Sequence, residues 1–237
     1  MNLEGKRVLV VMPCYNTEGT VTDAIKTAIN QTYNNFTLVC YDDKSTDNTL
    51  EIILKLKDEF DFELIKGEVN LGTGDAVNNV IKVSLEQESY DYITWISADN
   101  ITTPDFLEKH VENLNSGHAI SYSGWKILGG GTMIPNRDLL HLKNNFMLGP
   151  SFMFTKKLYE VSGPFESRPG EDYFFAVNCA LNNAKFGYIN DVLMEYRVHD
   201  NSVSGRIVSG IITNLCSSEA IQNAKGITIT NGIEIYN

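Results

Sequence analysis

An α/β fold, a mostly parallel central sheet with helices on both faces, is predicted for this 237-residue chain by three observations. Strand-like apolar runs alternate with stretches of helical periodicity through the first half. The runs are continuous in apolar residues, as suits a sheet interior. Each run then breaks off into polar or glycine residues, and open parallel sheets bind ligands beyond the carboxyl ends of their strands.

Taken in order, RVLVVMP (7–13) reads as a buried strand, and TVTDAIKTAINQ (20–31) carries Val21, Ala24, Ile25, Ala28 and Ile29 at helical spacing. FTLVCY (36–41) is a second strand, followed by Asp47 as an expected N-cap and the helix NTLEIILKLKDEF. FELIK (62–66) is a third, leading through a glycine-containing turn to a helix over about 75–88. DYITWIS (91–97) is the fourth. Alternation of this kind implies right-handed crossovers between parallel strands. HAISYSGWKILGGGT (118–132) suggests a further strand running into a glycine turn. Glu171 and Asp172 open the helix DYFFAVNCALNNA, where acids in a first turn are favoured by the macrodipole. Beyond 205, IVSGIITNLCSSEAIQNA suggests a helix and ITITNGIEIY a hairpin with an Asn-Gly turn.

The formal charge of −11 argues against a general nucleic-acid binder and against attachment to anionic lipid through a basic patch. It does not exclude an anionic small substrate, because one bound divalent cation reverses the sign locally. No stretch approaches the roughly 20 apolar residues of a membrane span. MNLEGKRVLVVMP is too short and too soon broken for a secretion signal. Cys14, Cys40, Cys179 and Cys216 lack metal-ligand spacing and read as reduced thiols, so the expected compartment is the cytoplasm.

The strand ends hold the functional signal. Strand one ends in PCYN (13–16), strand two in DDKSTDNT (42–49), the third in NLGTG (70–74) and the fourth in SADN (97–100). A cap could explain any one of them; four at one edge favour a single site. Asp99, ending an apolar run, is costly there unless something pairs with it. Asp42, Ser45 and Asp47 suit turn and cap chemistry. Gly72 and Gly74 are read as turn residues. Trp125 suits either a sugar ring or the core.

VVMPCYN, the spacer through DDKSTDNT, NLGTG, YITWISADN with ITTPDFLE, GPSFMF, GEDYFF and YRVHDNS, in that order, resemble the family 2 glycosyltransferases of GT-A (Rossmann-like) fold over about residues 7 to 204. The resemblance implies a GT-A domain over 1–205, with a nucleotide-sugar-binding half (1–103), an acceptor-binding half (104–205) and a C-terminal extension (206–237). It implies transfer, with inversion, from a nucleotide-diphospho-sugar, a UDP-sugar, to a hydroxyl of a glycan or other acceptor in polysaccharide or glycoconjugate synthesis. Pro13 and Tyr15 would lie at the base and Asp43 would accept from its ring N–H. Gly72 would pass near ribose and phosphates, and Ser97 and Ala98 near ribose. Asp99 would hold Mn²⁺ or Mg²⁺ with the phosphates' help, since the first carboxylate of the family's D-x-D motif is replaced here by Ser97. His199 would be a further metal contact. Asp172 would be the general base and Glu171 would orient the acceptor or cap the helix. Relatives carry an Arg where this chain has Ala76-Val77-Asn78, so no phosphate contact is expected there.

Two other readings fit the same α/β pattern. A sugar nucleotidyltransferase would carry a basic, glycine-rich loop after strand one, and PCYNTEGT has no basic residue. A non-catalytic nucleotide- or glycan-binding module would not need both Asp99 and Asp172.

Overall fold

The computed structural model describes residues 5–135, 148–168 and 170–198. His199, Cys216 and the helix and hairpin expected after residue 205 lie outside the described residues.

The first half follows the expected alternation: β1 (Val8–Cys14), α1 (Val21–Ile29), β2 (Phe36–Asp42), α2 (Thr49–Lys57), β3 (Glu63–Lys66), α3 (Thr73–Gln87) and β4 (Tyr92–Trp95). After β4 come β5 (Ile101–Thr102), α4 (Phe106–Asn115), β6 (Ile120–Ile127), β7 (Thr132–Met133), β8 (Phe152–Thr155), α5 (Lys156–Ser162), α6 (Glu171–Leu181) and β9 (Phe186–Tyr196). One nine-stranded sheet runs β3-β2-β1-β4-β8-β6-β9-β5, with β7 on β6. The four strands of the first half pair in parallel, as expected. Beyond them the sheet is mixed: β8, which the sequence reading left unassigned, lies antiparallel between β4 and β6, and β9 runs parallel to β6 and antiparallel to β5.

Alternation along β1 explains why its apolar run is unbroken. Val8, Val10 and Met12 feed a core under α1, α2 and α4, whereas Leu9 and Val11 feed the core under α3, α5 and α6. All five are fully buried. Each such side chain contributes about 1.5–3 kcal/mol. The helical spacing in α1 turns Val21, Ala24, Ile25 and Ala28 into the sheet.

Two sequence expectations change here, and the choice left open for Trp125 is decided. Asn48, not Asp47, occupies the N-cap of α2, yet the Asp47 carboxylate still accepts the Thr49 N–H at 3.0 Å. Gly74 lies inside the first turn of α3 and not in the preceding turn. Trp125 is 8 % exposed in the core, with Gly149 (φ +55°) lying against its ring, so it offers no face to a sugar.

The β6–β9 register slips at Ser123, Gly124 and Trp125, so β9 carries extra residues there. Such bulges bend a strand and re-aim the residues beyond them. Met194 and Glu195 thereby reach across to pair with Thr102 and Ile101, which carries Arg197 to the edge where β4 ends. Cys14, Cys40 and Cys179 are buried free thiols.

Candidate active site

Because β1, β2, β3 and β4 are parallel, their carboxyl ends share one edge, and the loops after them are fastened to one another. Asn16 N–H donates to Ser45 Oγ, Thr17 N–H to Thr49 Oγ1 and Glu18 N–H to Asp47 Oδ2; in return Thr46 and Asn48 donate to Asn16 Oδ1 and Glu18 Oε2. These residues make a clasp between the loops after β1 and β2. Pro13 is half-buried opposite Tyr41, and Tyr15 is 47 % exposed above the clasp, leaving its ring available to a flat ligand.

Asp43 is held under this mouth, 3 % exposed, its N–H on the Cys14 carbonyl at 2.8 Å. Its Oδ1 and Oδ2 accept the N–H groups of Leu71 and Gly72 at 2.7 and 2.8 Å. The sequence reading assigned this carboxylate to a ligand, with turn and cap chemistry as the alternative. In fact it first anchors the loop after β3, and the acceptor positions those two bonds leave open are what a ligand can use. Gly72, at φ 80° and ψ 163°, holds backbone that other residues avoid. That geometry points its N–H at Asp43.

The loop after β4 is a tight turn in which Asn100 N–H donates to the Ser97 carbonyl at 3.1 Å, placing Ala98 and Asp99 at its centre. Thr20, just before α1, ties this turn down by donating its hydroxyl to the Ala98 carbonyl at 2.9 Å. Ser97 and Asp99 are half-buried and Ala98 is buried. Asn100 is fully buried and accepts the Arg197 N–H through Oδ1 at 3.3 Å. Among the described residues, no three His, Cys, Asp or Glu side chains converge to hold a metal ion.

Glu171 and Asp172 start α6 after Gly170 in the left-handed region (φ 90°). The segment before them is fastened to α3. Asn78 accepts from the Phe165 N–H and the Tyr159 hydroxyl and donates to the Phe165 carbonyl, and Ser167 donates to Asp75. Gly74 permits the closest approach: a Cβ there would sit 2.2 Å from the Glu166 carbonyl oxygen and 3.7 Å from Glu171 Cβ. Arg168 stacks on Phe174 with its guanidinium 3.7 Å from the ring centroid and pairs with Glu166. Asn78 and Gly74 are thus positioning residues that sequence reasoning missed; Asn78 falls where it noted only a missing Arg.

Burial and the neighbouring Asp172 push the Glu171 carboxyl up to about 7, against the opposing pull of the backbone N–H groups of Glu171 and Gly170. Burial raises Asp172 as well, again opposed by backbone N–H groups, those of Tyr173 and Asp172 itself. Two adjacent carboxyls are thus held above their ordinary range, as is common where groups bind or move protons.

The family model of glycosyl transferase family 2 matches residues 9–168. A poly(ribitol-phosphate) beta-glucosyltransferase of Bacillus spizizenii is 27 % identical over 210 residues, covering 81 % of this chain and 32 % of its own. A poly-beta-1,6-N-acetyl-D-glucosamine synthase of Staphylococcus aureus is 33 % identical over 111 residues, covering 47 % of this chain and 26 % of its own. The chain therefore spans about a third or less of the length of these curated relatives. Among solved structures, S. aureus TarS 1–349 in complex with UDP-GlcNAc superposes with a TM-score of 0.68 at 19 % identity, covering 83 % of this chain and 60 % of that one. The mannosyltransferase PcManGT of Pyrobaculum calidifontis, in complex with GDP-Man and Mn²⁺, gives 0.68 at 18 %, covering 84 % and 59 %. These likenesses make the fold GT-A, and with the family match they settle the assignment: the chain belongs to glycosyl transferase family 2.

Proposed function

We propose that this chain transfers a sugar from a UDP-sugar to a hydroxyl of a glycan or related acceptor, with inversion at the anomeric carbon and with a divalent cation. The observation that carries the reading is the run of contacts joining Asp43 to Gly72, and the start of α3 to the Glu166–Glu171 segment, along one sheet edge.

In this reading the base lies against Tyr15 and Pro13, where the remaining acceptor positions of Asp43 select a ring N–H. Gly72, Ser97 and Ala98 line the path of ribose and phosphates. Asp99, at the centre of its turn, fits a hard cation whose other oxygens come from diphosphate and water, with His199 as the further ligand of the proposal. Mn²⁺ or Mg²⁺ held there would supply positive charge to the diphosphate leaving group. Asp172 accepts the proton of the attacking hydroxyl, and Glu171 orients the acceptor. Its raised pKa lets Glu171 offer a proton to a sugar oxygen that an ionised carboxylate could not. The names of the curated relatives support a role in polysaccharide synthesis. No described helix is long and apolar enough to cross a membrane.

Asp172→Asn is the test. Removing a general base typically costs about 10² to 10⁴ in rate. Transfer should fall by that much while UDP affinity stays within about twofold, because Asp43 and Asp99 lie on other loops. Full activity in this variant, or a product that retains the donor's anomeric configuration by NMR, would refute the assignment.

A further inference from the structure

Thr20 breaks a local rule. It stands at the N-cap of α1, where a threonine hydroxyl ordinarily accepts an N–H of the first helical turn, and it makes no such bond. The hydroxyl instead donates to the Ala98 carbonyl, 78 positions away in sequence, at 2.9 Å. The other carbonyl in its reach, that of Thr17, is farther at 3.4 Å. A hydroxyl has one hydrogen to give, so the shorter contact takes it. The helix thus forgoes a cap that this residue type is suited to supply, and departures of this kind gather where a site is built.

What the bond joins explains the departure. On one side Thr20 belongs to the clasp between the loops after β1 and β2. Its N–H and that of Val21 donate to the Thr17 carbonyl, both at 2.9 Å, and the Thr17 N–H donates to Thr49 Oγ1 at 2.7 Å. On the other side Ala98 is 2 % exposed and sits beside Asp99 in the turn that Asn100 closes on Ser97. The ladder between β1 and β4 ends with the Ile96 N–H on the Val11 carbonyl. Past that point the Thr20 hydroxyl carries the connection from clasp to turn. The tie that Asn100 makes, accepting the Arg197 N–H at 3.3 Å, runs to β9 and so away from the clasp.

We propose that Thr20 is a positioning residue that gives up its cap to hold the Asp99 turn at a fixed spacing from the Tyr15 clasp. A nucleoside diphosphate reaching from one loop to the other then meets both in place and is spared the cost of ordering them. A ligand confined to the clasp gains nothing from the tie. The choice of a nucleoside diphosphate as the spanning ligand rests on the function proposed above; the tie itself does not.

Hydrogen exchange on the ligand-free chain, with calorimetry of UDP and uridine in Mn²⁺, tests both parts. Thr20→Val keeps the branch at Cβ and removes the hydroxyl. The Asn100 N–H, which closes the turn, should then exchange at least about threefold faster. UDP with Mn²⁺ should bind about three- to tenfold more weakly, the effect of one hydrogen bond, while uridine stays within about twofold. Thr20→Ser keeps the donor and should restore both readings. A role in helix stability alone predicts no split between UDP and uridine. Should Thr20→Val fail to fold, Thr20→Ala gives the same comparison. Unchanged exchange at Asn100 in the variant without the hydroxyl, or UDP and uridine weakened by one factor, would overturn the proposal. A wild type that binds no UDP would sink the function proposed above, and the exchange rates would then decide the tie by themselves.

Discussion

Glu171→Gln should make the ligand-free chain more stable at neutral pH while impairing transfer. The Glu171 carboxyl is pushed from 4.5 to about 7 by burial and by Asp172. A folded value raised above the unfolded one gives stability that is complete below pH 4.5 and lost as pH climbs through 7. At about 1.36 kcal/mol per pH unit, holding this group ionised costs the folded chain about 3 kcal/mol by pH 8 and under about 1 kcal/mol at pH 5. Glutamine keeps the size and cannot ionise. It forfeits a favourable charge at the start of α6, worth about 0.3–1 kcal/mol, which trims the gain. It also removes a negative neighbour from Asp172. Urea unfolding of wild type and variant at pH 5, 6, 7 and 8 measures the difference directly. The variant's advantage should grow with pH to about 2–3 kcal/mol at pH 8. An advantage that is flat across this range, or a variant less stable at pH 8, would refute the argument that burial and Asp172 strain this carboxylate. Sites that bind or react commonly carry such a cost.

Asp99→Asn should abolish the Mn²⁺-dependent gain in UDP affinity while leaving the unfolding transition in place; calorimetry with and without Mn²⁺ reads the first, and an unchanged metal dependence removes Asp99 as the ligand. Asp43→Ala should lose about 3 kcal/mol of stability, because the Leu71 and Gly72 N–H groups lose a charged acceptor, and should bind UDP at least about tenfold more weakly. A variant of full stability would show that the loop after β3 stands without it. His110 is fully buried between the Ser121 and Ser151 hydroxyls, and burial lowers its pKa to about 3. Its folded value lies below the unfolded 6.5, so wild type should lose about 2 kcal/mol of stability between pH 7 and 5, a slope that His110→Asn should lack in denaturant titrations.

The first half of the fold was legible because its cues are local. Apolar runs buried on both faces need no partner to be recognised, and α1 announced its buried face by spacing alone. The antiparallel insertion of β8 was not legible, since Phe152–Thr155 is too short and apolar to declare a direction, and its neighbours β4 and β6 are both distant in sequence. For the candidate site, the sequence singled out Asp43, Asp99 and the Glu171–Asp172 pair by strand-end position and motif order. It could not see that Asp43 spends two acceptor positions on Leu71 and Gly72, or that Asn78 fastens the Phe165 segment. Those bonds join residues far apart in the chain and leave no period or spacing behind. A buried donor with no acceptor among the described residues, as at Arg197 Nη1, is likewise visible only in three dimensions.

Gly74 sets a limit on how this chain can vary. Because the Glu166 carbonyl stands where any Cβ at position 74 would have to go, the segment leading into Glu171 and Asp172 takes its position from the α3 backbone itself, with no side chain in between to absorb an error. Even alanine, the mildest replacement and one that α3 would otherwise welcome, would lever that segment away from the sheet edge. Laboratory evolution toward new acceptors should therefore find its freedom elsewhere and return glycine at this position. The same contact makes Gly74→Ala a displacement tool: a shift of the Glu171–Asp172 pair obtained without altering any group of the proposed chemistry.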